Sequence, residues 1–321
     1  MLDQVRSQQA FQKMLSAQHI LLVNDVRIDG DTLGSSLGMH HVLQAMGKRV
    51  THFSPMPIPS SYDFLPGRDL IFLDETVLKD RSIDLIISFD CGDGTHVTDA
   101  QNNVPGKPFL ISFDHHATNS MYGDLNLVLI EASSTAEVIW RFLKVVGVTP
   151  SRDAATAILT GVCTDTDIFK NMATNVAAFQ AASELTMLGA RVREVERHLF
   201  SNKPVSVLNL WGRVLERLHR HPTHDLVTTY ILRDDFEELG CEENDLEGLV
   251  NLLISLLHGV DTVIIFRETD DGGVKGSMRT LSGNVAKIGE WFPKGGGHVK
   301  AAGLYVPNTR LRPCQGGVEV V

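Results

Sequence analysis

The sequence of 321 residues contains only four cysteines, and no two of them are spaced as C-x-x-C. Because the cysteines at positions 91, 163, 241 and 314 are scattered, a zinc knuckle or a disulfide framework is disfavoured, and a reducing compartment is favoured. No apolar run approaches the ~18 residues of a membrane span. The polar N-terminal stretch has no signal-peptide core. We therefore expect a cytoplasmic protein without a membrane partner.

Positive charge is in deficit, with 29 Lys and Arg against 39 Asp and Glu and a net charge of −10. This balance argues against a protein that coats long duplex nucleic acid. It is compatible with a small anionic substrate held by local cations or metal ions. The sequence shows no repeat and no low-complexity tract. Its length and its 43% hydrophobic content suffice for two domains with sizeable cores.

Three aspartates, Asp25, Asp29 and Asp31, follow an apolar run at 19–23 that is short enough for a buried strand. A helical pattern over 33–46 comes next. In open α/β sheets, ligands bind at the carboxyl ends of strands. Helix capping would explain Asp31 alone, but it does not explain three carboxylates in seven residues. A hard divalent cation would relieve their repulsion, so the cluster predicts a metal site.

Further polar side chains stand where later elements end. Asp90 closes an apolar strand, and Asp114, His115 and His116 close the next one. Asp165 follows a predicted helix over 153–162; Asp167 is the alternative ligand in that loop. A two-metal phosphoesterase needs such a site, because two cations about 3.5–4 Å apart require a bridging carboxylate and ligands on both sides.

The order of elements predicts an α/β fold with two domains. Strands alternate with helices over 1–190, which indicates a largely parallel sheet flanked by helices. Six strands are expected in this domain, including those at 19–23 and 69–73. Residues 191–220 read as a helical linker without a strand, and 221–321 as a smaller α/β domain that includes a helix over 245–257. Three glycines at 295–297, ahead of a helix-compatible stretch, would let backbone N–H groups approach an anion.

Taken together, these motifs resemble the DHH phosphoesterases, in particular the bacterial subgroup with a DHH-associated C-terminal domain (DHHA1) that includes nano-RNases and pAp phosphatases. The resemblance covers nearly the whole chain, and the order and spacing of the motifs make it specific. The matching segments of the first domain are 29–35, 88–90, 114–116, 133–137 and 164–169. Those of the second domain are 276–279, 295–298 and 301–303.

The resemblance implies two divalent metal ions, with Mn²⁺ expected and Mg²⁺ as the alternative. One ion would be held by Asp31, Asp90, His115 and Asp165, and the other by Asp25, Asp29 and Asp90, which bridges the pair. The implied catalytic residues are His116, which would face the substrate, Asp114, which would orient the metal-binding imidazole, and Asp90. A water between the metals would attack phosphorus.

The resemblance also assigns substrate binding to the second domain, so that the active site would lie in the cleft between the domains. The residues implied are Arg279, Ser277, His298 and the backbone of Gly295, Gly296 and Gly297. Charge-assisted contacts from a guanidinium and an imidazole suit a phosphate. The implied partner is a short RNA or a nucleotide, and a homodimer is left open.

One position departs from the family pattern. The family has His four residues before the first Asp of the 29–31 motif, whereas this chain has Asp25; the usual Pro is Ile28, and the usual first glycine before 295 is Lys294. Asp25 adds one negative charge, which favours metal retention and disfavours an anionic substrate. Lowered activity, a changed metal preference and an inactivated variant are all open.

The expected function is hydrolysis of very short oligoribonucleotides to 5′-mononucleotides, with pAp or linear dinucleotides such as pApA as related substrates. Two alternatives are retained. A nucleotide-binding or low-activity family member would keep the fold and lose turnover at Asp25. An inorganic pyrophosphatase is disfavoured because Arg279 and the 295–298 segment match a nucleotide-handling second domain.

Overall fold

The computed structural model describes residues 2–199, 203–246, 248–292, 294–314 and 317–321. The chain divides into two compact units, Met1–Asn202 and Lys203–Val321. The division falls inside the segment 191–220 that the sequence assigns to a linker, and residues 200–202 of that segment lie outside the described residues. Among the described residues, no helix is long and apolar enough to cross a membrane.

The first unit contains a six-stranded sheet in which all neighbouring strands are parallel. In chain order the strands are β1 (His19–Val23), β2 (Arg49–Phe53), β3 (Ile71–Phe72), β4 (Leu85–Phe89), β5 (Phe109–Asp114) and β6 (Leu125–Val128). In the sheet they lie in the order β3-β2-β1-β4-β5-β6. The order reverses between β1 and β4, and open α/β sheets bind ligands in the crevice at such a point.

The helices of the first unit are α1 (Gln4–Ser16), α2 (Gly30–Ala45), α3 (Thr95–Asn103), α4 (Thr135–Val146), α5 (Arg152–Asp165), α6 (Val176–Met187) and α7 (Val192–Leu199). Strand β1 shows how they cover the sheet. Ile20 and Leu22 belong to one buried apolar cluster, and Leu21 and Val23 belong to another. Since successive side chains point to opposite faces, both faces of the sheet are buried, as its continuous apolar strands predict.

Helices α2 and α5 approach each other closely because both carry glycine at the contact. A Cβ atom on Gly34 would overlap the Ala157 carbonyl oxygen of α5. A Cβ atom on Gly161 would lie 2.5 Å from the Ala136 Cβ of α4 and 2.8 Å from Asp31 Oδ1. The bare backbone at these positions therefore allows α5 to pack against the beginning of α4 and the side chain of Asp31.

The second unit is built on a mixed six-stranded sheet. Its helices are α8 (Val205–Glu216), α9 (Arg233–Leu239), α10 (Leu249–Leu256) and α11 (Ala286–Gly289). Its strands are β7 (His219–Arg220), β8 (Leu226–Ile231), β9 (Thr262–Glu268), β10 (Gly273–Thr280), β11 (Gly296–His298), β12 (Ala301–Pro307), β13 (Leu311–Cys314) and β14 (Gly317–Val320). The sheet order is β11-β12-β10-β9-β8-β7, and β13 pairs with β14 separately.

The α/β fold with a parallel first sheet is confirmed, and several element boundaries are corrected. The strand expected over 69–73 is only two residues long, because Arg68–Leu70 forms a 3-10 turn. The helix expected over 245–257 starts at Leu249, after Gly248 with a φ of 84°; residue 247 lies outside the described part. The segment 191–220 ends in the short strand β7. Helix α3 was not predicted, because few of its residues are apolar.

Candidate metal centre and active site

The imidazole of His115 lies among the three aspartates predicted to bind the same metal ion. Its Nε2 lies 3.2 Å from Asp165 Oδ2, 3.6 Å from Asp90 Oδ1 and 3.9 Å from Asp31 Oδ2. Its Nδ1 donates to the Ala132 carbonyl oxygen at 3.3 Å. In the neutral ring this hydrogen bond holds the proton on Nδ1 and leaves Nε2 for a cation. The structure thus brings together the set implied for one metal, although their role as ligands stays a prediction.

Asp31 is completely buried and binds the beginning of helix α4. Its Oδ2 accepts the Thr135 N–H at 2.6 Å, and its Oδ1 accepts the Ala136 N–H at 2.8 Å. Unpaired N–H groups and the helix dipole stabilise a carboxylate at such a position. Ser134 caps the same helix by accepting the Glu137 N–H. The segment 133–137, singled out from the sequence, therefore positions Asp31.

The capping interpretation of the first cluster needs a correction. Helix α2 begins at Gly30, and its N-cap residue is Asp29, whose Oδ1 accepts the N–H groups of Asp31 and Thr32 at 2.9 Å. Asp31 lies in the first turn. This alternative named Asp31 because the helix starts three residues before the apolar pattern does. One oxygen of Asp29 is therefore engaged with the backbone.

Asp90 follows β4 in a left-handed backbone conformation, with a φ of 64°. Its two carboxylate oxygens accept hydrogen bonds from Thr32 Oγ1 at 2.9 Å and from Thr135 Oγ1 at 3.0 Å. A non-glycine residue in this region is strained by roughly 1–3 kcal/mol and is often found at functional sites. The two hydroxyl groups fix the direction of the carboxylate in the centre of the cluster.

Among the described residues, the carboxylates of this cluster repel one another. Burial raises the pKa of Asp29, Asp31 and Asp90, and the neighbouring carboxylates raise it further. Burial opposes protonation of His115, but its hydrogen bond to Asp165 and the nearby carboxylates outweigh it and raise the pKa to about 10. The cluster thus attracts positive charge. A donor set of carboxylates and one imidazole fits Mn²⁺ or Mg²⁺.

Asp114 orients a different imidazole from the one expected. Its Oδ1 accepts His116 Nδ1 at 2.8 Å, while Asn119 Nδ2 donates to its Oδ2 at 2.6 Å. Towards His115 it makes only a backbone hydrogen bond. Burial acts to raise the pKa of Asp114, but the hydrogen bonds from His116 and Asn119 lower it. The expectation that Asp114 orients the ring of His115 is wrong, because the two imidazoles project differently from consecutive positions.

Asp25 belongs to a second group of side chains. Its Oδ1 lies 3.8 Å from His96 Nε2, and Cys91 Sγ lies 3.7 Å from the same nitrogen. These three residues form a potential metal-binding group within 4.8 Å. The implied triplet of Asp25, Asp29 and Asp90 does not converge in this way among the described residues. The ligand set implied for the second metal is therefore not assembled as expected.

The loop after α5 separates the two candidate aspartates of the fourth motif. Asp165 is the last residue of the helix and reaches His115. Asp167 has a φ of 48°, and Ile168 and Phe169 also have positive φ values. The tight turn therefore starts after Asp165, and the contact with His115 makes Asp165 the better candidate.

In the second unit, Arg279 and His298 flank the same small residue. Ala301 of β12 pairs with Arg279 of β10 on one side and with His298 of β11 on the other. Residues paired across a sheet project to the same face, so Ala301 leaves an open trough between the two. Arg279 is half-buried, and its Nε donates to Asn251 Oδ1 at 2.7 Å. Ser277 lies two residues earlier on β10, on the same face.

The glycine segment does not precede a helix, contrary to expectation. Gly296 and Gly297 have φ values of 149° and 145° and pair as strand β11 with β12. Gly295 is held against α11, and its N–H donates to the Phe292 carbonyl oxygen at 3.0 Å. The positive φ values are incompatible with a helix. The Gly295 N–H is thus engaged within the protein rather than presented to an anion.

Sequence reasoning missed five residues that complete these groups. Thr32 and Thr135 hold Asp90, and Asn119 holds Asp114. Cys91 and His96 lie beside Asp25. The two threonines lie in motifs that the sequence did single out. His96 lies six residues after Asp90, in a helix without a clear apolar pattern, so only the tertiary structure reveals it.

A parallel sheet with carboxylates and imidazoles at its strand ends, followed by a separate mixed sheet, defines the class of protein. Residues 19–162 match the N-terminal domain of the DHH family, and residues 225–313 match the DHHA1 domain. The chain belongs to the DHH family, which confirms the resemblance drawn from the motifs.

Among individual proteins, the chain is similar to the bifunctional oligoribonuclease and PAP phosphatase NrnA of Thermus thermophilus, with 32% identity over 91% of this chain and 85% of that protein. The NrnA of Bacillus subtilis is 26% identical over 89% of each chain. A solved structure of an exopolyphosphatase-related protein from Bacteroides fragilis matches with a TM-score of 0.85 and 24% identity, covering 95% of this chain and 92% of that one. The latter match supports the fold.

Proposed function

We propose that this chain is a metal-dependent phosphoesterase that hydrolyses very short oligoribonucleotides to 5′-mononucleotides and removes a phosphate from pAp. The relatives that carry these two activities in their names extend over nearly the whole chain. The observation that carries the proposal is the convergence of Asp31, Asp90, His115 and Asp165 at one edge of the parallel sheet. Linear dinucleotides such as pApA are further candidate substrates.

The proposed cofactors are two divalent metal ions, with Mn²⁺ expected over Mg²⁺. Asp31, Asp90, His115 and Asp165 would hold one of them. Bound ions of this kind lower the pKa of water and neutralise charge on the transferred phosphoryl group. Two hydrogen bonds would orient the ligands for this ion. The hydroxyl of Thr32 directs the carboxylate of Asp90, and the N-terminus of α4 fixes that of Asp31.

His116 is proposed to transfer a proton to the leaving oxygen. The hydrogen bond from its Nδ1 to Asp114 raises its pKa, which favours the protonated ring. With Nδ1 bound to Asp114, Nε2 is the nitrogen that can donate to a substrate. The side chain is 35% exposed, so a ligand can reach it.

Substrate binding is proposed for the second unit. Arg279 and His298 flank Ala301 and would contact a phosphate from two sides, with Ser277 on the same face as Arg279. Of the three glycines, Gly296 and Gly297 remain candidates for close contact with the ligand, because the N–H of Gly295 is engaged. Participation of both units in one active site, a homodimer and the cytoplasmic location stay predictions.

The test is hydrolysis by the purified chain with Mn²⁺ of four labelled substrates: a diribonucleotide, pAp, pyrophosphate and a long RNA. We expect turnover of the first two, loss of that turnover in EDTA and recovery when Mn²⁺ is added in excess. Pyrophosphate as the best substrate would favour the pyrophosphatase alternative. Nucleotide binding without turnover would indicate the degenerate family member. Full activity after exhaustive chelation would contradict a metal mechanism.

A further inference from the structure

We propose that the second metal position of this chain is formed by Asp25, Cys91 and His96, and that it prefers a thiolate-binding ion such as Zn²⁺ or Co²⁺ over Mn²⁺ and Mg²⁺. The inference rests on the proposed function for the idea of paired metals. It replaces the triplet of Asp25, Asp29 and Asp90 that the resemblance implies, and it restricts the Mn²⁺ proposed above to the cluster around His115. It assigns a role to two residues, Cys91 and His96, that the motifs do not include.

The three donor atoms are close to the spacing that one ion requires. Asp25 Oδ1 and Cys91 Sγ lie 3.8 Å and 3.7 Å from His96 Nε2. In a tetrahedral zinc site with bonds of about 2.0 Å to nitrogen and oxygen and about 2.3 Å to sulfur, such donors are about 3.3–3.5 Å apart. The two separations from His96 exceed these by about 0.2–0.5 Å, and all three donor atoms lie within 4.8 Å of one another. Small side-chain adjustments would therefore seat an ion.

The fold brings these residues to the crevice where the strand order reverses. Asp25 follows β1, Cys91 follows β4 directly after Asp90, and His96 lies in the first turn of α3. Because β1 and β4 are neighbours, the group adjoins the cluster around His115 through the backbone of Asp90. His96 Nε2 now donates to the Asn24 carbonyl oxygen at 3.1 Å. Ion binding requires that this proton move to Nδ1.

The donor atoms of this position differ from those of the cluster around His115. A thiolate, an imidazole and a carboxylate are the ligands that Zn²⁺ and similar ions prefer, whereas Mg²⁺ and Mn²⁺ prefer oxygen. Binding replaces the thiol proton of Cys91, which passes to solvent. One carboxylate, one thiolate and one divalent ion then sum to zero charge, apart from the exposed Arg27, whose Nε lies 3.3 Å from Asp25 Oδ2. His96 would supply, from another element, the imidazole that the family pattern places at position 25.

The test is a titration of the metal-free full chain with Co²⁺. The signal that is monitored is the near-ultraviolet charge-transfer band of a thiolate bound to cobalt. We expect the band in the unmodified chain, its loss in Cys91→Ser, and a large loss of Co²⁺ affinity in His96→Ala. Cys314→Ser is the matched control, because Cys314 is the exposed thiol, and it should keep the band.

Absence of the band from the unmodified chain, or its survival in Cys91→Ser, would overturn the proposal. Because Cys91 is buried, its variant could misfold; His96→Ala, at a partly exposed side chain, then decides, and unchanged affinity there would also overturn it. Hydrolysis of pAp with Mn²⁺ is measured separately. Turnover without a cobalt band refutes this inference alone, whereas a cobalt band without turnover of any substrate refutes the proposed function.

Discussion

Asp31 and Thr135 are joined by a 2.6 Å hydrogen bond between a carboxylate oxygen and a backbone N–H group, across 104 positions of the sequence. The contact connects the loop after β1 to the beginning of α4. It also places a buried negative charge at the N-terminus of a 12-residue helix, where the dipole stabilises it. The N–H groups of Thr135 and Ala136 thus favour the charged form of Asp31, against the burial and the neighbouring carboxylates that raise its pKa.

The fourth motif offers a matched pair of aspartate variants. We expect Asp165→Asn to abolish hydrolysis and weaken Mn²⁺ binding measured by calorimetry, because Asp165 reaches His115 at 3.2 Å. Asp167→Asn should retain both, since Asn tolerates the left-handed conformation at this position. The opposite result would assign the ligand to Asp167.

A residue that orients a metal ligand should affect the metal affinity almost as strongly as the ligand itself. Thr135→Val keeps the shape of the side chain and removes the hydroxyl that donates to Asp90 Oδ1. We expect Mn²⁺ affinity to fall by about 10–100-fold, as for other groups that orient metal ligands. Thr160→Val is the control, because this buried hydroxyl donates only to the Thr156 carbonyl oxygen within α5. Equal affinities in both variants would contradict the proposed role.

The substrate-binding assignment of the second unit can be tested without touching the metal cluster. Arg279→Ala and His298→Ala should each raise the activation free energy expressed in kcat/KM by about 1.5–3 kcal/mol, the usual cost of a lost charge-assisted hydrogen bond. Mn²⁺ binding should be unchanged. Arg312→Ala serves as control, because Arg312 is exposed and pairs with Glu319. Unaltered kcat/KM in both variants would exclude this surface.

Two glycine-to-alanine substitutions in helices should have opposite effects on stability. At Gly212 of α8 nothing lies within 4 Å of the added Cβ atom, so we expect stabilisation by roughly 0.5–1 kcal/mol from helix propensity. At Gly161 the Cβ atom would meet Ala136 and Asp31, so we expect destabilisation of about 1–3 kcal/mol from overpacking. Urea unfolding of both variants measures the difference. Stabilisation of Gly161→Ala would mean that α5 can move away freely.

The pH dependence of stability should reflect two buried histidines of the first unit. Neither ring nitrogen of His40 has a hydrogen-bond partner in the described part of the chain, and burial together with His41 lowers its pKa to about 4. Burial, with His40 and His41, also lowers the pKa of His52. The folded state favours the neutral rings, so stability is complete above the unfolded pKa of about 6.5.

As the pH falls below this value towards 4, the unfolded chain binds protons first. The free energy of unfolding should then decrease by up to about 1.4 kcal/mol per pH unit for each histidine. Urea titrations at several pH values measure this slope. His40→Leu should reduce it, whereas His224→Leu, at an exposed position, should not. An unchanged slope in His40→Leu would contradict the assignment.

Local pattern was sufficient for most of the fold. Strands such as β1 and β5 were predicted because continuous apolar runs of this length are buried in parallel sheets, and the helix predicted over 153–162 is observed as α5, Arg152–Asp165. Failures occurred where backbone conformation opposed the pattern. Gly248 interrupts one expected helix. Gly296 and Gly297 have positive φ values and form a strand ahead of the segment where a helix was expected.

The metal cluster could be predicted as a set of residue types, but its internal pairing could not. Asp90 and His115 stand at strand ends, so the sequence alone brings them to one edge. The partners of each side chain depend on where helices α3, α4 and α5 begin and pack. For this reason Asp114 was assigned to the wrong imidazole.

The sequence by itself determined the family, the two α/β domains and the acidic and imidazole side chains at the strand ends, because these follow from local periodicity and from the order of short motifs. Only the tertiary structure decided that Asp31 binds the beginning of α4 and that Asp25 lies with Cys91 and His96. These contacts join residues separated by up to 105 positions. They depend on the order of strands in the sheet and on the close packing of α2 and α5 at glycines, which no local pattern encodes.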